Sequence, residues 1–511
     1  METIVRDLMT SPPVTCAASD SLAVAAQAMQ QADTGSVVVT DEGKVVGILT
    51  ERDLLRAAAG QGDPEREQVG LWMTARPDVL GPDERADAAW ASLTSHRYRH
   101  LPVVEDDRCV GVVSLRDLMA VARIRPATET SGDVPAGLEG VVVAETTIGD
   151  VRGQEGFFHY RQYSAVELAE TRSLEDVWHL LFRGELPGAA AAQAFGAEVR
   201  TRRALPPGLH TVLPAISRRG APLDVLRTAV SLLAAELGWR PTHDIQADEL
   251  YDQALGLCAV VPTILAAAHR LRQGDEPVEP HPDLGFAANY LYMLTGRESS
   301  ALHARAIEQY MILTIDHGFN ASTFTARVVT STGADLGAAI VAAIGALSGP
   351  LHGGAPSRAL DMLDAIGTPD RADAYVRAAV EGGDRIMGFG HRVYKTDDPR
   401  SLLLRSVTEQ LGGPLVEFSQ SVERTTVDVL AELKPGRQLY TNVEFYAGVV
   451  MHTCGIPREM FTPTFAAGRT IGWSTHVMEQ AAHNRLIRPA ARYVGPPPPQ
   501  PVPLPVPLPG G

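Results

Sequence analysis

The sequence predicts a multidomain protein in which a tandem α/β pair precedes an all-helical body. Two observations lead to this fold class. The first is an internal repeat before residue 122, and the second is a series of Ala- and Leu-rich amphipathic runs between residues 140 and 490. At 511 residues the chain is longer than one ordinary core requires, so several domains are expected.

The repeat accounts for the α/β prediction. VRDLMT (5–10) recurs as VGLWMT (69–74), and VVVTDEGKVVGILTERDLL (37–55) recurs as LPVVEDDRCVGVVSLRDLM (101–119), with a constant offset of 64 residues. Each copy has a helical stretch, two short β-branched runs around a polar turn, and a helix that starts near an Asp. One such unit buries little surface, so the two copies are expected to pack as a pair.

This repeat resembles a pair of cystathionine-β-synthase (CBS) domains, with copies at about 1–60 and 65–122. The resemblance implies that AMP or ATP binds between the copies as an effector. The family's ribose-contacting pattern, Ser/Thr-x-x-Asp, matches four residues: Thr50, Asp53, Ser114 and Asp117. A second interpretation stays open, in which each hydroxyl and carboxylate only caps a helix.

The remaining boundaries follow from composition. Residues 123–140 are polar with Pro and Gly and predict a linker to the helical body at 141–494. Residues 495–511 are dominated by proline, so we expect an extended or disordered tail. A proline-binding partner for this tail is the alternative.

Composition and missing motifs exclude several classes of function. The net charge of −16 argues against a nucleic-acid surface. The four cysteines are widely separated, which predicts a reduced, cytoplasmic protein. The sequence has no signal-peptide run and no uncharged apolar stretch of about 18 residues, so we expect no membrane partner. Neither GxGxxG, GxxxxGK[ST] nor HExxH occurs in the body, so no cofactor is required and no metal site is predicted.

Polar residues in apolar surroundings mark the candidate site. They lie in TIDHGFNAST (His317), SGPLHGGAPSR (His352), MGFGHRVYKTDDPR (His391 and Arg400) and the segments with Glu444, Arg469 and Arg488. Each alone is more often structural. Together, three imidazoles and a carboxylate can move protons and polarise carbonyls, and three arginines can hold a dicarboxylate. The set suits carbon–carbon bond formation between a carbanion equivalent and a keto acid.

The order and wording of these segments resemble citrate synthase from about residue 147 to residue 497. The similarity includes GDVRGQEGFFHYRQYSAVELAE (149–170), GPLHGGA, MGFGHRVYK with a following DPR, and NVEFYAG. It implies an all-α fold with large and small domains, a homodimer or higher homo-oligomer, and an acyltransferase of the tricarboxylic acid cycle. The reaction condenses acetyl-CoA with oxaloacetate and water to citrate, and CoA is the second product.

The resemblance also implies a role for each residue. His352 donates to the thioester carbonyl and stabilises the enol, Glu444 removes the methyl proton, and His391 donates to the keto oxygen of oxaloacetate. Oxaloacetate would be bound by His317, Arg400, Arg469 and Arg488, the last reaching into the neighbouring subunit's site. CoA would be contacted by Arg385, Met387, Gly388, Phe389 and Gly390.

Glu444 departs from the family, whose base is typically Asp. The extra methylene lengthens the reach of the carboxylate by about 1.5 Å, and a misplacement of about 1 Å can reduce the rate roughly 100-fold. Either the backbone has shifted to compensate, turnover is slow, or the acceptor differs. We expect compensation.

Two other functions stay open. One is 2-methylcitrate synthesis from propionyl-CoA, since one methylene in a pocket contributes only about 1–3 kcal/mol. The other is a nucleotide-sensing protein with a weakened synthase body, an interpretation that Glu444 alone supports. In either enzyme, we hypothesise that the nucleotide at the CBS pair modulates the body.

Overall fold

The computed structural model describes residues 4–32, 34–59, 63–86, 89, 93, 100–114, 117–118, 136–138, 140–350, 352–353, 355–390, 394, 396–435 and 439–496. His391, most of the predicted linker and the predicted tail beyond residue 496 lie outside these residues. The chain forms two compact units, Met1–Gly140 with Ala490–Gly511 and Val141–Pro489.

The first unit contains six described strands and two described helices. They are β1 (Thr15–Cys16), α1 (Leu22–Gln31), β2 (Ser36–Asp41), β3 (Lys44–Thr50), α2 (Glu51–Ala59), β4 (Thr74–Ala75), β5 (His100–Glu105) and β6 (Arg108–Ser114). One sheet has the order β1-β2-β3-β4 and the other is the β5-β6 hairpin. Both hairpins bulge at equivalent positions, after Val39 in β2 and after Val103 in β5, so the repeat extends to backbone detail.

The leading segments of the two copies are exchanged. Thr10 of the first copy pairs with Val112 in β6, and Met9 packs over Gly111 of the same strand. In the reverse sense, β4 of the second copy pairs with β3, and Met73 packs over Gly47. Each core therefore includes side chains from the other copy's leading segment, which explains why the copies form a pair.

The second unit is mainly helical, as predicted. Its helices are α3 (Ala165–Thr171), α4 (Leu174–Arg183), α5 (Ala189–Thr201), α6 (Pro207–Ser217), α7 (Pro222–Glu236), α8 (Ala247–Gln273), α9 (Phe286–Thr295), α10 (Ala301–Thr314), α11 (Ala321–Ser331), α12 (Leu336–Leu347), α13 (Ala355–Ile366), α14 (Ala372–Glu381), α15 (Pro399–Leu411), α16 (Pro414–Leu433), α17 (Val443–Thr453) and α18 (Phe461–Ala482). A continuous apolar core joins them.

The body nevertheless opens with a small antiparallel sheet that composition did not predict. Its strands are β7 (Gly149–Arg152), β8 (Phe157–Tyr160) and β9 (Tyr163–Ser164), in sequence order. Alternating burial along β8 places Phe158 and Tyr160 inside the unit. Phe158 of this sheet contacts residues of the site described below.

Helix α8 crosses the centre of the second unit. By length and composition it could span a membrane, but 83% of its most apolar window is buried within the unit. It packs against α18, another long helix that is buried along most of its length. Burial on all sides explains why α8 is apolar around its whole circumference.

Candidate active site

The described candidate residues of the second unit lie at helix ends and inside one buried helix. His317 lies between α10 and α11, His352 between α12 and α13, Arg400 in the first turn of α15, Glu444 in the first turn of α17 and Arg469 within α18. Burial has the largest effect on the pKa values of His352, Glu444 and Arg469, and charges within the cluster also act: Arg469 adds to the lowering at His352, and Arg400 opposes the rise at Glu444. The fold therefore brings together segments that are far apart in sequence.

The loop before His391 is fixed against the start of α17. Asn442 donates its backbone N–H to the Gly388 carbonyl at 2.8 Å and its side-chain amide to the Gly390 carbonyl at 2.9 Å. Both glycines have left-handed backbone angles, with φ of 84° and 80°. A Cβ on Gly388 would lie 2.8 Å from the Cβ of Phe445, so this position requires glycine.

Asp398 connects Arg400 to the helix that carries Glu444. Its carboxylate accepts from Arg400 Nε at 3.0 Å and from an Arg400 terminal nitrogen at 2.8 Å, a bidentate pair with both side chains buried. It also accepts the backbone N–H of Val443 at 3.0 Å. Burial opposes the charge on Arg400, but the Asp398 carboxylate outweighs it and raises the pKa of the guanidinium, so Arg400 stays charged.

We expect Asp398→Asn to destabilise the fold by about 3 kcal/mol, because it removes the countercharge of a buried arginine. Urea unfolding at pH 7 measures this change. Asp373→Asn is the matched control, since Asp373 pairs with Arg377 at the surface and its loss should change little. Equal unfolding midpoints for the two variants would contradict a structural role for the buried pair.

Glu444 has the properties of a general base. It lies in the first turn of α17, and its backbone N–H donates to the capping side chain of Asn442. Burial raises the pKa of its carboxyl to about 7, although the positive charge of Arg400 opposes this rise. A base works best when its pKa is close to the working pH, so Glu444 is suited to accept a proton at neutral pH.

His352 is a neutral imidazole whose orientation is fixed. Burial, together with the charge of Arg469, lowers its pKa to about 4. Its Nε2 lies 2.8 Å from the hydroxyl oxygen of Ser322 and accepts the Ser322 backbone N–H at 3.4 Å, and this backbone donor favours the tautomer with the imidazole proton on Nδ1. Trp473 donates to the same hydroxyl oxygen at 3.1 Å and so holds Ser322 in place. A neutral donor of this kind can stabilise negative charge on a carbonyl oxygen.

Basic and aromatic side chains surround His317. Its Nε2 lies 3.0 Å from the hydroxyl of Tyr394, and its ring contacts Phe158. The Arg400 guanidinium lies over both aromatic rings, 5.5 Å from Tyr394 and 6.0 Å from Phe158. Arg469 Nε donates to the backbone carbonyl of Thr314, just before His317. Two buried arginines and an imidazole provide donors for a small dianion.

The other candidates are placed differently. Arg488 and Arg385 are exposed, whereas Met387 and Phe389 are half-buried and Gly388 is buried. The buried cluster therefore contains neither of these two arginines. His391 lies outside the described residues.

Several residues of the cluster were not predicted: Phe158, Ser322, Tyr394 and Asp398. For Asp398 a local signal exists, because an Asp before a Pro in the first turn is a helix N-cap pattern. For the others, the contacts join segments separated by long stretches of chain, and no local pattern encodes them.

In the first unit, both Ser/Thr-x-x-Asp pairs adopt the capping geometry. Asp53 accepts the backbone N–H and the hydroxyl of Thr50 at 2.9 and 2.7 Å, and Asp117 accepts the same two groups of Ser114 at 2.8 and 2.7 Å. The two sites also differ, because the Asp117 backbone N–H donates to the Ser114 hydroxyl at 3.2 Å, whereas Asp53 forms an ion pair with Arg56. Among the described residues, no arginine is paired with Asp117.

Comparison with protein families identifies both units. Residues 137–490 match the model of the citrate synthase C-terminal domain, and residues 5–60 and 67–123 match that of the CBS domain.

Similar proteins carry two names. The citrate synthase of Synechocystis sp. is 37% identical over 366 residues, which are 70% of this chain and 90% of the relative. The 2-methylcitrate synthase of Mycobacterium tuberculosis is 39% identical over 370 residues, covering 72% and 93%. A ternary complex of the Thermoplasma acidophilum citrate synthase with carboxymethyl coenzyme A and oxaloacetate has a TM-score of 0.68 at 28% identity, covering 73% of this chain and 99% of that one. Citrate synthase from Pyrobaculum aerophilum has a TM-score of 0.65 at 37% identity, covering 74% and 98%.

Proposed function

The chain belongs to the citrate synthase family, and on this basis we propose that it condenses acetyl-CoA with oxaloacetate and water to citrate and free CoA. The observation that carries the proposal is that one unit holds both a half-buried His352, which Ser322 orients and whose pKa is about 4, and Glu444 at the start of α17, whose pKa is about 7. Forming a carbanion equivalent from a thioester requires a donor for the developing oxygen charge and a base for the methyl proton.

Proton removal, enol stabilisation and activation of the keto group each have a residue suited to them. Glu444 removes a proton from the acetyl methyl group while the Nδ1 hydrogen of His352 bonds to the thioester oxygen. The resulting enol carbon attacks the keto carbon of oxaloacetate, and His391 donates to the keto oxygen. Water then cleaves the thioester of the condensed product, which releases CoA.

Oxaloacetate binds in the cluster of His317, Arg400 and Arg469. The two carboxylates of the substrate match the two buried guanidinium groups, which burial keeps away from competing water. We propose that Arg488 completes this site in a second copy of the chain. Its exposure in one copy is consistent with that role, and sedimentation of the full chain tests the homodimer that it requires.

CoA binds along residues 385–390. The hydrogen bonds from Asn442 to the Gly388 and Gly390 carbonyls hold this loop close to Glu444, which lies two residues after Asn442. A thioester bound there would present its methyl group to the base. Met387 and Phe389 contribute apolar contact, and Arg385 is available to the phosphates.

The acyl group is acetyl or propionyl, since relatives with both names are similarly related to this chain. The test is CoA thiol release with oxaloacetate from acetyl-CoA and from propionyl-CoA. A higher kcat/KM with acetyl-CoA supports citrate synthesis, and a higher value with propionyl-CoA supports 2-methylcitrate synthesis. Release from neither would favour the nucleotide-sensing interpretation.

We further propose that the CBS pair binds an adenine nucleotide, AMP or ATP, that modulates the synthase. The second copy is the better candidate for ribose binding, because Arg56 pairs with Asp53 whereas the sequence has Ala120 at the corresponding place near Asp117. Modulation requires that the nucleotide bind two states of the enzyme with different affinities.

Asp117→Asn should weaken AMP binding by about tenfold, since it replaces a charged acceptor of the ribose hydroxyls with a neutral one. Asp53→Asn, its counterpart in the first copy, should change the affinity less. Calorimetric titration of the full-length variants with AMP gives both affinities. Equal losses in the two variants, or none in Asp117→Asn, would contradict the assignment.

A further inference from the structure

A line of buried polar side chains leads from α11 and α18 to the loop that carries His317. Arg327 on α11 donates from Nε to Nδ1 of His476 on α18 at 3.0 Å, and Nε2 of the same imidazole lies 3.0 Å from Oδ1 of Asp316. These three side chains are almost fully buried. Glu479, one turn further along α18, forms an ion pair with Arg327.

The partners of His476 determine its tautomer. An arginine Nε always carries hydrogen and can only donate, so Nδ1 of His476 is the acceptor. The imidazole proton therefore lies on Nε2 and is donated to Asp316.

Asp316 in turn determines the shape of the loop. Its second carboxylate oxygen accepts the backbone N–H of Gly318 at 3.2 Å, which closes a turn around His317. The loop lies directly on α18, where a Cβ on Gly472 would come within 2.0 Å of the Ile315 carbonyl oxygen. The backbone can approach α18 this closely only because residue 472 is glycine.

This short segment carries one group of the proposed oxaloacetate site and is hydrogen-bonded to a second, Arg469 on α18. His317 follows Asp316 directly, and the Thr314 carbonyl two residues earlier accepts from Arg469 Nε at 2.7 Å. A shift of the loop would therefore move an imidazole and a guanidinium together. The residues that act on the thioester, His352 and Glu444, lie on other segments.

We propose that His476 is a positioning residue for oxaloacetate, holding Asp316 by its Nε2 hydrogen so that His317 and Arg469 keep their relative placement. The inference rests on the proposed function. It assigns to His476 no contact with substrate and no proton transfer.

Two amide variants separate the two bonds of this imidazole. Asn places an acceptor near the Nδ1 position and lacks the group that reaches Asp316, whereas Gln places an amide N–H near the Nε2 position. His476→Asn should raise the KM for oxaloacetate by about tenfold, because displaced His317 and Arg469 would donate less well to the substrate. His476→Gln should recover most of that loss, and the KM for acetyl-CoA should change little in both.

His269 supplies the matched control. It is buried on α8, its Nδ1 lies 3.1 Å from a Glu459 carboxylate oxygen, and it has no part in the proposed site. His269→Asn and His269→Gln should leave both KM values unchanged. Thermal unfolding of all four variants shows whether the kinetic effect follows general loss of stability.

The outcomes are distinguishable. Equal KM values for oxaloacetate in His476→Asn and His476→Gln would overturn the positioning role. So would a rise in KM that follows the fall in unfolding temperature across all four variants. In both cases the proposed function would stand. Absence of both oxaloacetate binding and turnover in the unmodified chain overturns the proposed function and this inference with it. The inference is supported if the KM for oxaloacetate rises in His476→Asn and returns close to normal in His476→Gln, while the KM for acetyl-CoA stays unchanged in both.

Discussion

Replacing His352 with Gln should reduce kcat by about a thousandfold, because it removes the donor that meets the developing enolate charge. The imidazole is neutral throughout the working pH range, since its pKa is about 4, and it requires no reorganisation during the reaction. The tautomer with the proton on Nδ1 is favoured because the Ser322 backbone donates to Nε2. Gln cannot reproduce a rigid ring held in this way. CoA thiol release at saturating substrate measures the change.

The control for this variant is oxaloacetate affinity. That substrate is held by other segments, so its dissociation constant from calorimetry should stay within about twofold of the unmodified value. Ser322→Ala should have a smaller effect on kcat, because the backbone N–H that orients His352 remains. A His352→Gln enzyme with nearly normal kcat would show that another group stabilises the enolate.

Replacing Glu444 with Gln should lower kcat by about 100- to 10,000-fold through loss of the general base. Its ionised form accepts the proton, so kcat/KM of the unmodified enzyme should rise with pH between about 6 and 8 as the carboxyl ionises near pH 7. The Gln variant should show no such rise. A flat profile in the unmodified enzyme would contradict Glu444 as the base.

The same substitution should stabilise the fold at high pH. The carboxyl has its usual pKa of 4.5 in the unfolded chain and about 7 in the folded one, so stability is lost as pH rises from 4.5 through 7. The Gln variant avoids this loss and should be more stable by about 3 kcal/mol at pH 8, with no gain at pH 4. Urea unfolding at the two pH values tests the sign.

The substitution Glu444→Asp tests whether the site is adapted to Glu in place of the Asp that is typical of the family. If the start of α17 has been placed to suit the longer side chain, shortening it by one methylene should reduce turnover, since a shift of about 1 Å can reduce the rate roughly 100-fold. A large rise in turnover would instead show that the site is built for Asp.

The periodic features of this chain could be predicted from sequence. The 64-residue repeat indicated the paired unit, and helical periodicity indicated the body. The exchange of leading segments could not be predicted, because Met9 and Met73 contact glycines of the other copy and no local pattern encodes such contacts. The sheet at 149–164 was missed because its strands are short and adjoin strong helix patterns.

Segment motifs predicted which residues could supply the chemistry of the candidate site, and those roles stay predictions, whereas no motif indicated the residues that orient them. Ser322, Asp398 and His476 each bridge distant segments, and their importance follows from burial and hydrogen-bond direction. The capping geometry at Asp53 and Asp117 was one of the two interpretations drawn from sequence. Nucleotide binding there stays a prediction.

Citrate synthesis is tested most directly by product analysis with mass spectrometry. The full-length protein is incubated with acetyl-CoA and oxaloacetate in water enriched in oxygen-18. We expect citrate with one oxygen-18 atom in the carboxylate that is newly formed from the thioester, in equal amount to the CoA released. Labelled acetate with unchanged oxaloacetate would show simple thioester hydrolysis instead. That result, or no CoA release at all, would contradict citrate synthesis.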